Sequence, residues 1–144
     1  MTNIVQVTDI QGETVAVSQI GPGTTPTAAT TSSTAVAVLT GLAPAGSPSV
    51  YTTYKVNSLL IANAGSADAT VSVQFNAITV SGPTNNRTTF VHSVVVPAGA
   101  TLDVLSAPVY LNHNGTTQDV IEVFATGADV NALVSYEAIK STTA

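Results

Sequence analysis

The residues able to do chemistry in this chain are few, and their spacing argues against a catalytic centre. His92 and His113 are its two histidines, and neither has a second ligand at a metal-site separation. His92 falls inside an alternating segment, where a histidine is structural or faces solvent. His113 falls in a polar loop ahead of Asn114-Gly115. The eight acidic residues are scattered; the nearest couples are Asp9 with Glu13, flanking an expected turn, and Asp119 with Glu122, at the entry of an expected strand. Paired carboxylates for hydrolysis can converge from distant positions, but nothing in the residue order points to such a pair. No run of alternating oxygen ligands ends in the glutamate a calcium loop needs, and no serine stands in a Gly-x-Ser-x-Gly elbow. Cysteine is absent, which removes the thiol nucleophile, the thiolate zinc site and the disulfide framework. Asn86-Arg87-Thr88 and Asn114-Gly115-Thr116 match the glycosylation pattern, yet both read as turn chemistry, Asn-Gly being suited to left-handed positions. Four tyrosines, three phenylalanines and no tryptophan make a poor carbohydrate platform. The expectation is a protein that is not an enzyme, with no catalytic, cofactor-binding or metal residues and no cofactor.

The elements that would carry these side chains are strands. Val71, Val73 and Phe75 alternate with Ser72, Gln74 and Asn76 within Thr70 to Val80, a period of two that predicts one buried and one polar face. On the last strand, Val130, Ala132, Val134 and Tyr136 alternate with Asn131, Leu133, Ser135 and Glu137. Between these lie Lys55 to Asn63, Arg87 to Val96, Thr101 to Leu105, Pro108 to Leu111 and Val120 to Ala125, punctuated about every ten residues by turn sequences such as Ala64 to Asp68, Ser81 to Asn86 and Pro97-Ala98-Gly99. No segment offers a capped helical stripe. Many short antiparallel strands predict an all-β fold, an antiparallel β-sandwich or jelly-roll-like domain, because one sheet must cover its apolar face with another.

The first 50 residues read differently. Ile4 to Val7 and Thr14 to Val17, separated by Asp9-Ile10-Gln11-Gly12, predict an N-terminal hairpin. Gly21 to Ser33 is low in complexity and predicts an extended arm; Gly41 to Ser49, with Pro44 and Pro48, separates the short apolar run Thr34 to Thr40 from the strands beyond it. The division expected is 1–50 as hairpin and Thr/Pro/Gly-rich arm, and 51–144 as the sandwich domain.

Composition narrows the function. At 144 residues the chain can bury a core without disulfides or metals. It is 44% hydrophobic but only 8% charged, against roughly a quarter charged in ordinary domains, so its surface must be built from Thr, Ser, Asn and Gly. Such a surface loses little on being covered by another protein, since burying ions is the costly step. The net charge of -5, with Lys55, Arg87 and Lys140 as sole cations, leaves no basic stripe for phosphates, so nucleic acid is not expected as a direct partner. No apolar run approaches the roughly 18 to 20 residues of a membrane-spanning helix, so no membrane is expected either. Met1 to Gln6 lacks the basic and apolar regions of a secretory signal, which predicts a protein made in a cytoplasm.

From Tyr54 to Ile139 the order of phrases carries a resemblance: Lys55 to Asn63, a small-residue turn, an alternating strand, Val96-Pro97-Ala98-Gly99-Ala100-Thr101-Leu102, Pro108-Val109-Tyr110-Leu111, and Val134-Ser135-Tyr136-Glu137. This resembles the small β-sandwich virion structural proteins of tailed bacteriophages, of capsid cement, decoration or neck type. The resemblance implies a cement or decoration protein on the outer surface of the head, bound to the major capsid protein or other virion proteins, a homo-oligomer with a trimer favoured. A neck, tail or fibre component and a host-glycan-binding module, with a groove lined by Tyr51, Tyr54 or Tyr110, are the alternatives. Residues 1–50 lie outside the resemblance. An arm of their composition orders on a neighbouring subunit, and an edge strand from Ile4 to Val17 can extend a partner's sheet, so they are the expected attachment and inter-subunit element.

Overall fold

The computed structural model describes residues 5–18, 20, 36–41, 50–79, 85–127 and 129–143. Nine strands occur among them: β1 Val5–Val17, β2 Val36–Thr40, β3 Val50–Asn63, β4 Ala69–Thr79, β5 Asn85–Val96, β6 Thr101–Asp103, β7 Val109–Leu111, β8 Thr117–Ala125 and β9 Val130–Thr143. They form two antiparallel sheets. The first, sheet A, has the order β1-β9-β3-β6, with β7 also pairing β3; the second, sheet B, has the order β2-β8-β4-β5. The fold is the all-β antiparallel sandwich that the alternation predicted.

Burial follows the strand period. On β9 Val130, Ala132, Val134, Tyr136 and Ala138 are buried while Leu133 is exposed, and on β4 Val71 and Val73 are fully buried. These side chains meet Val56, Leu59 and Ile61 of β3 and Ile121, Val123 and Ala125 of β8 in one core between the sheets. A valine or leucine removed from water there stabilises the fold by about 1.5–3 kcal/mol, and the β-branched side chains suit a pleated, packed surface.

Asn63 ties three connections together at one end of the sandwich. Its buried side chain donates to the carbonyls of Ala67 and Val96 at 2.8 and 2.9 Å and accepts the Gly65 N–H at 3.0 Å. Its backbone N–H donates to Ala100, and its carbonyl accepts from Gly99. The corner at Pro97-Ala98-Gly99 forms as expected, with Gly99 at a φ of 75°, a value that glycine adopts without the steric penalty of a side chain.

The N-terminal hairpin is not formed. Val5–Val17 is one strand that pairs β9 along its length, from Val5 opposite Thr143 to Val17 opposite Ala132, with one register shift between Val7 and Asp9. Asp9 to Gly12 looks like a turn locally, but β9 offers an equally long partner, and a continuous ladder satisfies more backbone groups than a hairpin of two short runs would. The short run before Gly41 is also part of the sandwich, as β2 against β8. Both sheets thus draw strands from residues before position 51. The arm expected at Gly21 to Ser33 lies outside the described residues, as does most of Gly41 to Ser49.

Candidate interaction surface

The residues singled out for chemistry are held apart. His92 is exposed on β5, and the His113 Nδ1 accepts the Gly115 N–H at 3.0 Å within its own loop. That loop is closed on itself: Asn114 Oδ1 accepts the N–H groups of Thr116 and Thr117, and Asp119 Oδ2 accepts that of Asn112 at 2.9 Å. Neither acidic couple converges. Lys140 faces Asp9 at 3.6 Å, and Glu13 accepts the Tyr136 hydroxyl. Asp119 holds its loop, while Glu122 lies under a different set of partners. No group of three His, Cys, Asp or Glu among the described residues is placed to hold a metal ion.

Tyr136 and Glu13 instead fasten β1 to the core. Tyr136 is buried and meets Tyr54 edge-on, ring centroids 4.9 Å apart at 63°. Burial, the hydrogen bond to Glu13 and that carboxylate's charge push its hydroxyl pKa far above the ordinary tyrosine value. Burial, and then Glu13, raise Tyr54 as well.

The outer faces of the two sheets are unlike. On the two central strands of sheet B the side chains pointing away from the core are Ser72, Gln74 and Asn76 of β4 and Val120, Glu122 and Phe124 of β8. All six are buried, between 0% and 8% exposed, whereas Thr40 and Val95 on the edge strands are exposed. Gln74 lies opposite Glu122 in the ladder and donates to its carboxylate; Asn76 Nδ2 donates at 3.3 Å, and Arg87 reaches it from β5 at 3.4 Å. The alternation of β4 is as the sequence predicts, but its polar face is shielded and internally bonded. Among the fully buried polar atoms of this network, Asn76 Oδ1 has no partner.

Sheet A presents the opposite character. The register places Val7, Ile10, Thr14 and Ala16 of β1 on the same outer face as Leu133, Ser135 and Ile139 of β9, and Tyr51, Thr53, Ser58, Leu60 and Ala62 of β3 join them. Tyr110 enters from β7 opposite Lys55. Val7, Ile10, Tyr51, Tyr110 and Leu133 are all exposed large apolar side chains. The charges on this face among the described residues are Lys55 and Glu137, which pair at 3.3 Å, and Asp103 of β6 at its margin. Around Leu133 a shallow apolar hollow is lined by Ala16, Val17, Leu60, Ala62 and Ala132. A broad face of methyl and hydroxyl groups with one neutralised ion pair can be covered by another protein with little desolvation loss.

Sequence reasoning missed both features, for different reasons. Leu133 carried a readable signal, as a large apolar residue set between Asn131 and Ser135 on the polar side of β9. The Glu122 network carried none, because its partners lie 46 and 48 residues away in the chain.

No family model matches the chain, and no curated protein matches it. Among solved structures, it is similar to a chain of the T13 IBDV viral particle, with 11% identity and a TM-score of 0.43 over 94% of this chain. The likeness spans 36% of that longer chain.

Proposed function

We propose that this chain is a structural protein of a tailed-bacteriophage virion, a capsid cement or decoration protein that binds the major capsid protein on the outside of the head. The observation that carries the reading is the outer face of sheet A, apolar and hydroxyl-rich with its one ion pair neutralised internally. The phrases from Tyr54 to Ile139 supply the class of partner. The mechanism is contact area without turnover: the face lies across subunit boundaries of the shell, and burying it makes separation of those subunits costlier. Apolar area removed from water contributes about 25 cal/mol per Å² before association costs are subtracted, so many copies in a layer add up to a large effect on shell strength.

The test is the copy number of the chain in purified particles, by quantitative mass spectrometry against the major capsid protein. A count comparable with the capsid protein's supports a cement layer. A small multiple of three or six moves the chain to the neck or tail, and absence from particles ends the virion reading.

A further inference from the structure

The edges of the two sheets are defended unequally. On sheet B, β2 is five residues long, and β5 is broken by register shifts on either side of Val73's partner, with Ser93 at a φ of 51° and its N–H taken by Ser72 Oγ at 2.9 Å. On sheet A, β6 and β7 are three residues each. β1 is the exception: past the shift at Val7/Asp9 it keeps an unbroken register with β9 from Asp9 to Val17. Every described side chain from Gln6 to Thr14 is exposed. Among the described residues no strand pairs its other side, and an edge of this length displays a row of unpaired N–H and C=O groups, a template for another strand.

Gly12 sits in the middle of that edge, and nothing among the described residues requires a glycine there. Its φ is not positive, its register is regular, and a Cβ built on it would meet nothing within 4 Å. A glycine inside a strand gives up side-chain packing, and such positions often mark the close approach of another backbone.

We infer that β1 pairs antiparallel with β1 of a second copy of this chain, about a two-fold axis at Gly12. Pairing centred there sets Gln11 opposite the second copy's Glu13, Ile10 opposite Thr14 and Asp9 opposite Val15, so no two carboxylates face each other and an amide meets a carboxylate. Registers centred on Asp9 or Glu13 put like charges opposite, which is destabilising, and one centred on Gln11 opposes Asp9 to Glu13. Both carboxylates already have partners at home in Lys140 and Tyr136, so self-pairing leaves no ion stranded. The result is one continuous sheet through two copies, a two-fold contact in addition to any three-fold one the resemblance implies. It uses the edge of sheet A and does not depend on what covers its face.

The experiment is a charge swap at the axis, read by size-exclusion chromatography with light scattering on the full chain over a range of concentrations. The wild type is expected to be a dimer, or a hexamer where a three-fold contact forms as well. Gly12→Lys and Gly12→Glu each set like charges on the axis and should weaken self-association at least tenfold, while an equimolar mixture of the two restores a mixed dimer. Thermal melts separate this from misfolding, since Lys at position 12 has open space and faces Glu137 across β9 and should leave the melting temperature unchanged or raised. A monomeric or trimeric wild type, a Gly12→Lys variant that still dimerises, or a mixture that does not re-form the dimer overturns the pairing. None of these outcomes alters the particle copy number, so the two readings fail separately.

Discussion

The outer faces of sheets A and B are built from the same alternating strands, yet one is an open apolar and hydroxyl surface and the other a shielded polar network. Sheet B shows what happens when a face is closed off: the Glu122 carboxylate is enclosed by Gln74, Asn76 and Arg87, each of which supplies it an N–H. Sheet A carries almost nothing that would need such compensation. Polar alternation therefore does not identify the wet side of a strand, and charge depletion, more than apolarity, marks the face ready to be covered.

The severest challenge to this contrast comes from Glu122→Ala. It leaves the Arg87 guanidinium and two amide groups without their acceptor in a shielded place, and should cost about 3 kcal/mol in urea unfolding. A loss near zero would mean that water reaches this face as readily as it reaches sheet A. Leu133→Asp probes the other side. Because Leu133 is 42% exposed, the change should leave unfolding within about 0.5 kcal/mol of the wild type. Binding to assembled shells, followed by co-sedimentation, should nevertheless weaken at least about tenfold, or 1.4 kcal/mol. Unchanged binding would remove the face from the attachment site. Ser72→Ala should cost about 1 kcal/mol, since it takes the acceptor from the Ser93 N–H at a part-buried bulge.

Alkaline titration gives the smallest and most specific signal. The folded state raises the hydroxyl pKa values of Tyr136 and Tyr54 above the ordinary 10.0, so it holds those protons more tightly than the unfolded chain does. That contribution is complete below pH 10.0 and is lost as the pH climbs above it. Thermal melts should therefore fall between about pH 10 and 11 by more for the wild type than for Tyr136→Phe; parallel curves would show that the Tyr136 to Glu13 fastening does not hold β1.

Much of the fold was legible because alternation is a local property. Val130 to Tyr136 and Val71 to Phe75 announced their buried phase, and Pro97-Ala98-Gly99 announced its corner. Asp9 to Gly12 misleads because turn propensity is also local, whereas the long partner that straightened β1 lies at the far end of the chain. For the same reason residues before position 51 could not be assigned to the sheets from composition. A deletion of residues 1–33 would therefore remove a whole strand of sheet A along with Gly21 to Ser33, and point changes at Gly12 or Leu133 are the cleaner probes. The candidate surface was half legible. Low charge forecast a covered protein, but which face it would be required the register that puts Val7, Ile10, Tyr110 and Leu133 together.

The placement of the cations has a practical consequence for proteolysis. Lys55, Arg87 and Lys140 are the only positions trypsin can cut, and each lies within a strand with its side chain held by Glu137, Glu122 or Asp9. A protease must draw several residues of extended backbone into its cleft, and here that requires pulling strands β3, β5 or β9 out of their ladders. The folded chain should therefore survive a digestion that strips looser proteins from the same preparation, so that tryptic resistance itself becomes an assay for how intact the sandwich is.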